Sequence, residues 1–224
     1  MSMQLISRPA PGRGVARSDR GFADQPGKAW LLDPVGLHDE FDDLFGGLVD
    51  DDGLARFRAR AAELWRSDDP LVHDYVSSLP CHTPEEWEAG FEERHLAEWY
   101  RVLMAAHLEP ARPFAAPVRL KDHLPELGWT PSDARRLAWG RELIELAQTF
   151  AQEDAAAALE IVLRVGNKGW HHPSDIDAYL DGFRHMDPRW FRGAQHLVPL
   201  VEDAYEVLTF AARRPDHVLV LANG

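Results

Sequence analysis

The chain has 224 residues, 45% of them hydrophobic, which is enough to build a core in one domain and too apolar for wholesale disorder. Its formal charge of −13, from 37 acidic against 24 basic residues, repels nucleic acid phosphates and anionic lipid and favours a basic protein partner. A single cysteine, Cys81, excludes an intrachain disulfide and a cysteine metal cluster.

Residues 1–28 combine prolines, glycines and arginines without an apolar period and read as a flexible basic N-terminal arm. Leu5-Ile6 runs straight into Ser7, Arg8 and Pro9, so no signal-peptide core is expected, and no apolar run reaches the length of a membrane span. A soluble cytoplasmic protein is the expectation.

The globular part is expected over 29–224. Lys28 to Leu32 reads as a strand, closed by Asp33-Pro34. Leu37, Phe41, Leu44, Phe45 and Leu48 predict a helix ending near Gly46-Gly47. Its polar side holds Asp39, Glu40, Asp42 and Asp43, and Asp50, Asp51 and Asp52 follow, the densest acidic cluster in the chain. The spacing does not match a calcium-binding loop, so the cluster is a solvated face or a surface for a basic partner. Further helices are predicted over Leu54–Trp65 and from Pro70 to Leu79.

The central prediction is one long helix from Thr83 to Pro110. Thr83, Pro84 and Glu86 carry the start signal, and Trp87, Phe91, His95, Trp99 and Leu103 recur every four residues on a face turned to the core. The proline-rich stretch 110–117 reads as a connection and a possible subdomain junction. Val118 to Leu120 reads as a short strand. Gly128-Trp129-Thr130-Pro131-Ser132-Asp133 leads into a helix of about twenty residues, and 155–165 continues as a buried one. Gly169-Trp170-His171-His172-Pro173-Ser174-Asp175 echoes the earlier turn, a possible helix-hairpin duplication. A helix with Ile176, Tyr179, Leu180 and Phe183 follows, then a terminal helix from Leu197 to Ala211 and a strand from His217 to Leu221. The fold class expected is mainly α: a single globular helical domain of about eight helices with a minor β element of short strands.

Phosphate-binding loops, dinucleotide fingerprints, nucleophile elbows and the H-E-x-x-H zinc motif are all absent. Cys81 and His82, as chain neighbours, do not form a dyad, and Cys81 is expected to be inert. The chemistry left is histidine with carboxylate: Glu92-x-x-His95 on one helix, Asp181 and His185 on another, and Glu142, Glu145 or Glu153 between them. That order resembles the haem-oxygenase-like di-iron oxidases, and the resemblance implies iron held by Glu92, His95, Glu145, Asp181 and His185. A ferritin-like site would need a second E-x-x-H motif. His171, His172 and His196 read as cap or surface residues.

Three readings follow. The first is a non-catalytic protein-binding module, immunity-like or regulatory, that meets a basic partner through Asp39–Asp52 and needs no cofactor. The second is a helical metal-dependent oxidase with iron at the residues above. The third is a small-molecule binding module using some of the eight tryptophans to line a pocket. Oligomeric state is not legible.

Overall fold

The computed structural model describes residues 27–46, 50–114, 120–151, 159–163 and 168–222. Five short strands make one antiparallel sheet: β1 (Gly27–Leu32), β2 (Arg112–Phe114), β3 (Arg141–Glu142), β4 (Lys168–His171) and β5 (Val218–Ala222), in the order β2-β1-β5-β4-β3. The longest pairing joins the two ends of the described chain, with Trp30 opposite Val220 and Leu31 opposite Leu219. Alternate residues leave opposite faces of a strand. Trp30, Leu32, Val218, Val220 and Trp170 therefore feed one core, while Ala29, Leu31, Leu219 and Leu221 feed a second. Both faces are covered, which is why β1 and β5 are continuous apolar runs and not alternating ones.

The first face is covered by α1 (Pro34–Phe45), α2 (Asp51–Trp65), α3 (Pro70–Val76), α4 (Pro84–Ala89) and α5 (Glu93–Met104), with α7 (Leu143–Phe150) at one side. Its aromatic side chains meet edge to face, with Phe57 and Trp99 centroids 5.7 Å apart and Trp30 and Tyr75 5.1 Å apart. The second face carries α6 (Pro131–Trp139), α8 (Pro173–Arg184) and α9 (Val198–Ala211). Asp33, Asp50, Asp69 and Thr83 each cap a helix by accepting backbone N–H bonds, and Pro occupies the first turn of α1, α3 and α4.

The chain is mainly helical with a short-stranded β element, as expected, with eight helices of seven residues or more among the described residues; the short strands form one sheet between the two cores. The strands at 27–32 and 218–222 match expectation. Of the proposed strand 118–120, only Leu120 is described; it is helical and buried. The stretch expected to be a connection supplies β2 instead, and Pro113 is tolerated because β2 is an edge strand. Gly27 and Lys28, assigned to the arm, open β1; residues 1–26 lie outside the described part.

Two long predicted helices are each interrupted at a glycine. Gly90, at φ −178° and ψ 132°, separates α4 from α5. Gly140, at φ 69°, ends α6, and β3 follows at once. In both cases the apolar spacing runs on through the break, so periodicity alone reads one helix where there are two.

Candidate metal centre

The α4–α5 break sets the geometry of the candidate site. It lets α5 start at Glu93 and turns His95 inward, only 2% exposed, beside Leu96 and Trp99. Glu98 lies one turn further along the same helix. His82 comes from the loop between α3 and α4. Among the described residues, His82, His95 and Glu98 form the one group of three in which a donor atom of each lies within 4.8 Å of the others. Tetrahedral zinc, with ligands near 2.1 Å, needs donors about 3.4 Å apart. The set must therefore contract by little more than an ångström, and His82, on a loop, can supply that movement.

The group is held from outside. Glu98 Oε1 lies 2.8 Å from His82 Nδ1, and Oε2 accepts from the His82 backbone N–H at 3.2 Å and from Trp87 Nε1 at 3.0 Å. Hydrogen bonds of this kind orient a ligating carboxylate. The His82 and His95 rings meet edge to face, centroids 5.2 Å apart. His95 Nε2 is buried without a hydrogen-bond partner. Cys81 stays a thiol, because burial pushes its pKa up to about 12.

The residues expected to hold iron are not brought together. Glu92 is exposed at the N-cap of α5 and paired with Arg94 at 2.7 Å, and its backbone N–H donates to His95 Nδ1 at 3.2 Å. The E-x-x-H spacing is thus a helix start. Glu142 caps α7, and Glu145 accepts its N–H at 3.3 Å. Asp181 on α8 and His185 at its C-cap are exposed, 3.4 Å apart, and α8 packs on the sheet face opposite to the one that α5 covers. Glu153 lies outside the described residues. The helices that carry these residues lie on both faces of the sheet.

The acidic cluster divides into structural and free members. Glu40 is internal: it meets His107 at 2.5 Å and Arg60 at 2.7 Å, and the hydrogen bond from His107 is the main reason its carboxyl sits below the ordinary range. Asp50 accepts the Gly53 N–H as N-cap of α2. Asp42 is half-buried, while Asp39, Asp43, Asp51 and Asp52 are exposed around the α1–α2 corner. As for the tryptophans, Trp30, Trp87 and Trp170 are fully buried packing residues. A cleft of about 630 Å³ beside α3 and one of about 360 Å³ beside α9 are lined without tryptophan.

A second polar group lies on the other face. His171 of β4 is 1% exposed with both ring nitrogens unpartnered, as are Tyr179 Oη and Trp129 Nε1. Its neighbour Asp175 is held by Arg141 at 2.6 and 2.9 Å, so this group offers no free carboxylate to a cation. Here the two Gly-Trp turns meet, Trp129 of the first stacking on Tyr179 of the helix that follows the second.

Sequence reasoning passed over His82 and Glu98. His95-x-x-Glu98 was readable as a one-turn pair on a helix, but the loop residue that completes the group is brought in by tertiary folding. No helix among the described residues is long and apolar enough to cross a membrane. Compared with protein-family models, curated proteins and solved structures, the chain shows no significant match.

Proposed function

We propose that this chain is a metal-binding protein that holds a divalent transition metal at His82, His95 and Glu98. The observation that carries the reading is His95 Nε2, a buried nitrogen with no partner, on a residue whose neighbours are a second imidazole and a carboxylate. Buried polar atoms are normally satisfied, so an orphan in such company marks a ligand position. Two histidines and one glutamate are a three-donor zinc set, with a fourth position left for water or substrate. The same three donors also make the two-histidine, one-carboxylate triad of non-haem iron(II), so the donor set fits either metal. The test is titration of chelator-treated protein with zinc against a competing indicator. One equivalent bound by the wild type and lost in His95→Ala is expected; wild type and variant binding alike would remove the reading.

A second reading keeps the protein-binding role. Asp39, Asp43, Asp51 and Asp52 are exposed at one corner, which favours a basic protein partner there. Association through that corner should weaken steeply between low and physiological salt. Pull-down with the four changed to Asn checks it, and unchanged capture of a basic partner would count against the corner.

A further inference from the structure

We infer that Glu92 is the positioning carboxylate for His95 in the metal-loaded protein, an inference that rests on the metal-binding reading above. A neutral imidazole carries one proton. Nδ1 of His95 accepts the Glu92 backbone N–H at 3.2 Å, so the proton sits on Nε2, and that N–H has no acceptor. This tautomer has no lone pair on Nε2 to give a cation. Coordination through Nε2 requires the proton on Nδ1, where it faces the Glu92 N–H donor to donor.

Nδ1–H then needs an acceptor. The Glu92 carboxylate belongs to the same first turn, is 57% exposed, and is held by an exposed Arg94 at 2.7 Å. A pair of that kind is worth little in water and is readily exchanged. Rotation of the Glu92 side chain from Arg94 to Nδ1–H completes a carboxylate–histidine–metal triad, the arrangement that fixes the tautomer of most metal-ligating histidines. No atom is gained or lost in the step: one proton moves from Nε2 to Nδ1, and the Nε2 lone pair goes to the metal. The E-x-x-H spacing thus has two uses, closing the helix start through the backbone without metal and steering the ring through the side chain with it. Glu92 would not be a ligand itself; it acts through His95.

The experiment uses the full chain, zinc, and the variants Glu92→Ala, Glu92→Gln and His95→Ala. Zinc affinity should fall 10- to 100-fold in Glu92→Ala and less in Glu92→Gln, whose amide oxygen still accepts. Nitrogen-15 NMR of the His95 ring should show the proton on Nε2 without zinc and on Nδ1 with it. Unchanged affinity in Glu92→Ala, or a loaded ring still protonated on Nε2, overturns the positioning role while zinc binding itself stands. If the wild type binds no zinc, or His95→Ala binds it equally, the metal reading fails and this inference falls with it. The substituted side chain is exposed, so loss of folding does not mimic the result.

Discussion

Nδ1 of His82 lies 2.8 Å from Oε1 of Glu98, tying the loop before α4 to the middle of α5. A cation at this junction would join two segments that otherwise meet through hydrogen bonds and the edge-to-face contact of His82 with His95. A ligand that binds only the folded state stabilises it by about 2.7 kcal/mol at a hundred times its dissociation constant. For a chain of this size that is a rise in melting temperature of roughly 5–10 °C. Zinc should produce that rise in the wild type and little in Glu98→Gln, which keeps an acceptor for Trp87 Nε1 but loses the anionic ligand. Calorimetry with and without zinc reads the difference, and equal shifts in both proteins would exclude Glu98 as a ligand.

What was legible in the chain follows the physics of local signals. Helices α1 and α3 were readable because an Asp cap and a proline stand directly before an apolar period, and α2 by its period alone. β1 and β5 were readable as apolar runs between breakers. β3 and β4 were not: Arg141-Glu142 and Lys168-Gly-Trp-His171 are too short to show alternation, and β4 exists because β5 offers an edge to pair with, β3 because β4 does. The candidate site was half legible. His95 was expected to face inward and does, but its partners were sought on distant helices when one lay a turn away and the other thirteen residues back across a loop.

Glycines 90 and 140 make a matched pair for testing the two helix breaks. Gly140 has φ 69° and ψ −168°, a region nearly closed to other residues, and an added Cβ would stand 2.6 Å from the Trp170 carbonyl oxygen. Gly140→Ala should cost at least about 2 kcal/mol and disturb the β3–β4 pairing. Gly90 is ordinary extended backbone with open space around it, so Gly90→Ala should stay within about 0.5 kcal/mol of neutral or stabilise slightly. Urea unfolding midpoints of the two variants give the comparison. A costly Gly90→Ala would mean that the α4–α5 linker needs glycine for another reason.

Tyr100 and His38 form a buried pair in the first core. His38 Nδ1–H donates to the Pro34 carbonyl at 2.6 Å, which leaves Nε2 to accept from the Tyr100 hydroxyl at 3.2 Å. Tyr100→Phe keeps the ring and strands the histidine nitrogen. The expected loss is about 1–3 kcal/mol, the cost of an unsatisfied buried acceptor. Denaturant unfolding of Tyr100→Phe against His38→Leu/Tyr100→Phe checks this, because the double variant removes the stranded group and should recover part of the loss.

Acid should act first through His171. Burial lowers its pKa from 6.5 to about 4, so between those values the unfolded chain takes a proton that the folded chain refuses. Stability is then full above pH 6.5 and declines as pH falls towards 4, by roughly 3 kcal/mol for this group. His38, lowered by burial as well, adds to the decline in the same direction. Asp175 behaves differently. Burial opposes its charge, but the bonds from Arg141 and the nearby Arg136 outweigh that and hold its pKa below 3.8. Its contribution persists until the pH drops under the ordinary carboxylate range, after the histidine effect is spent. Unfolding free energies of wild type and His171→Leu at pH 7, 5 and 4 separate the two. The variant should lose most of the slope between 6.5 and 4 and keep the fall below it, whereas parallel curves for the two proteins would mean that His171 is not the group that acid charges.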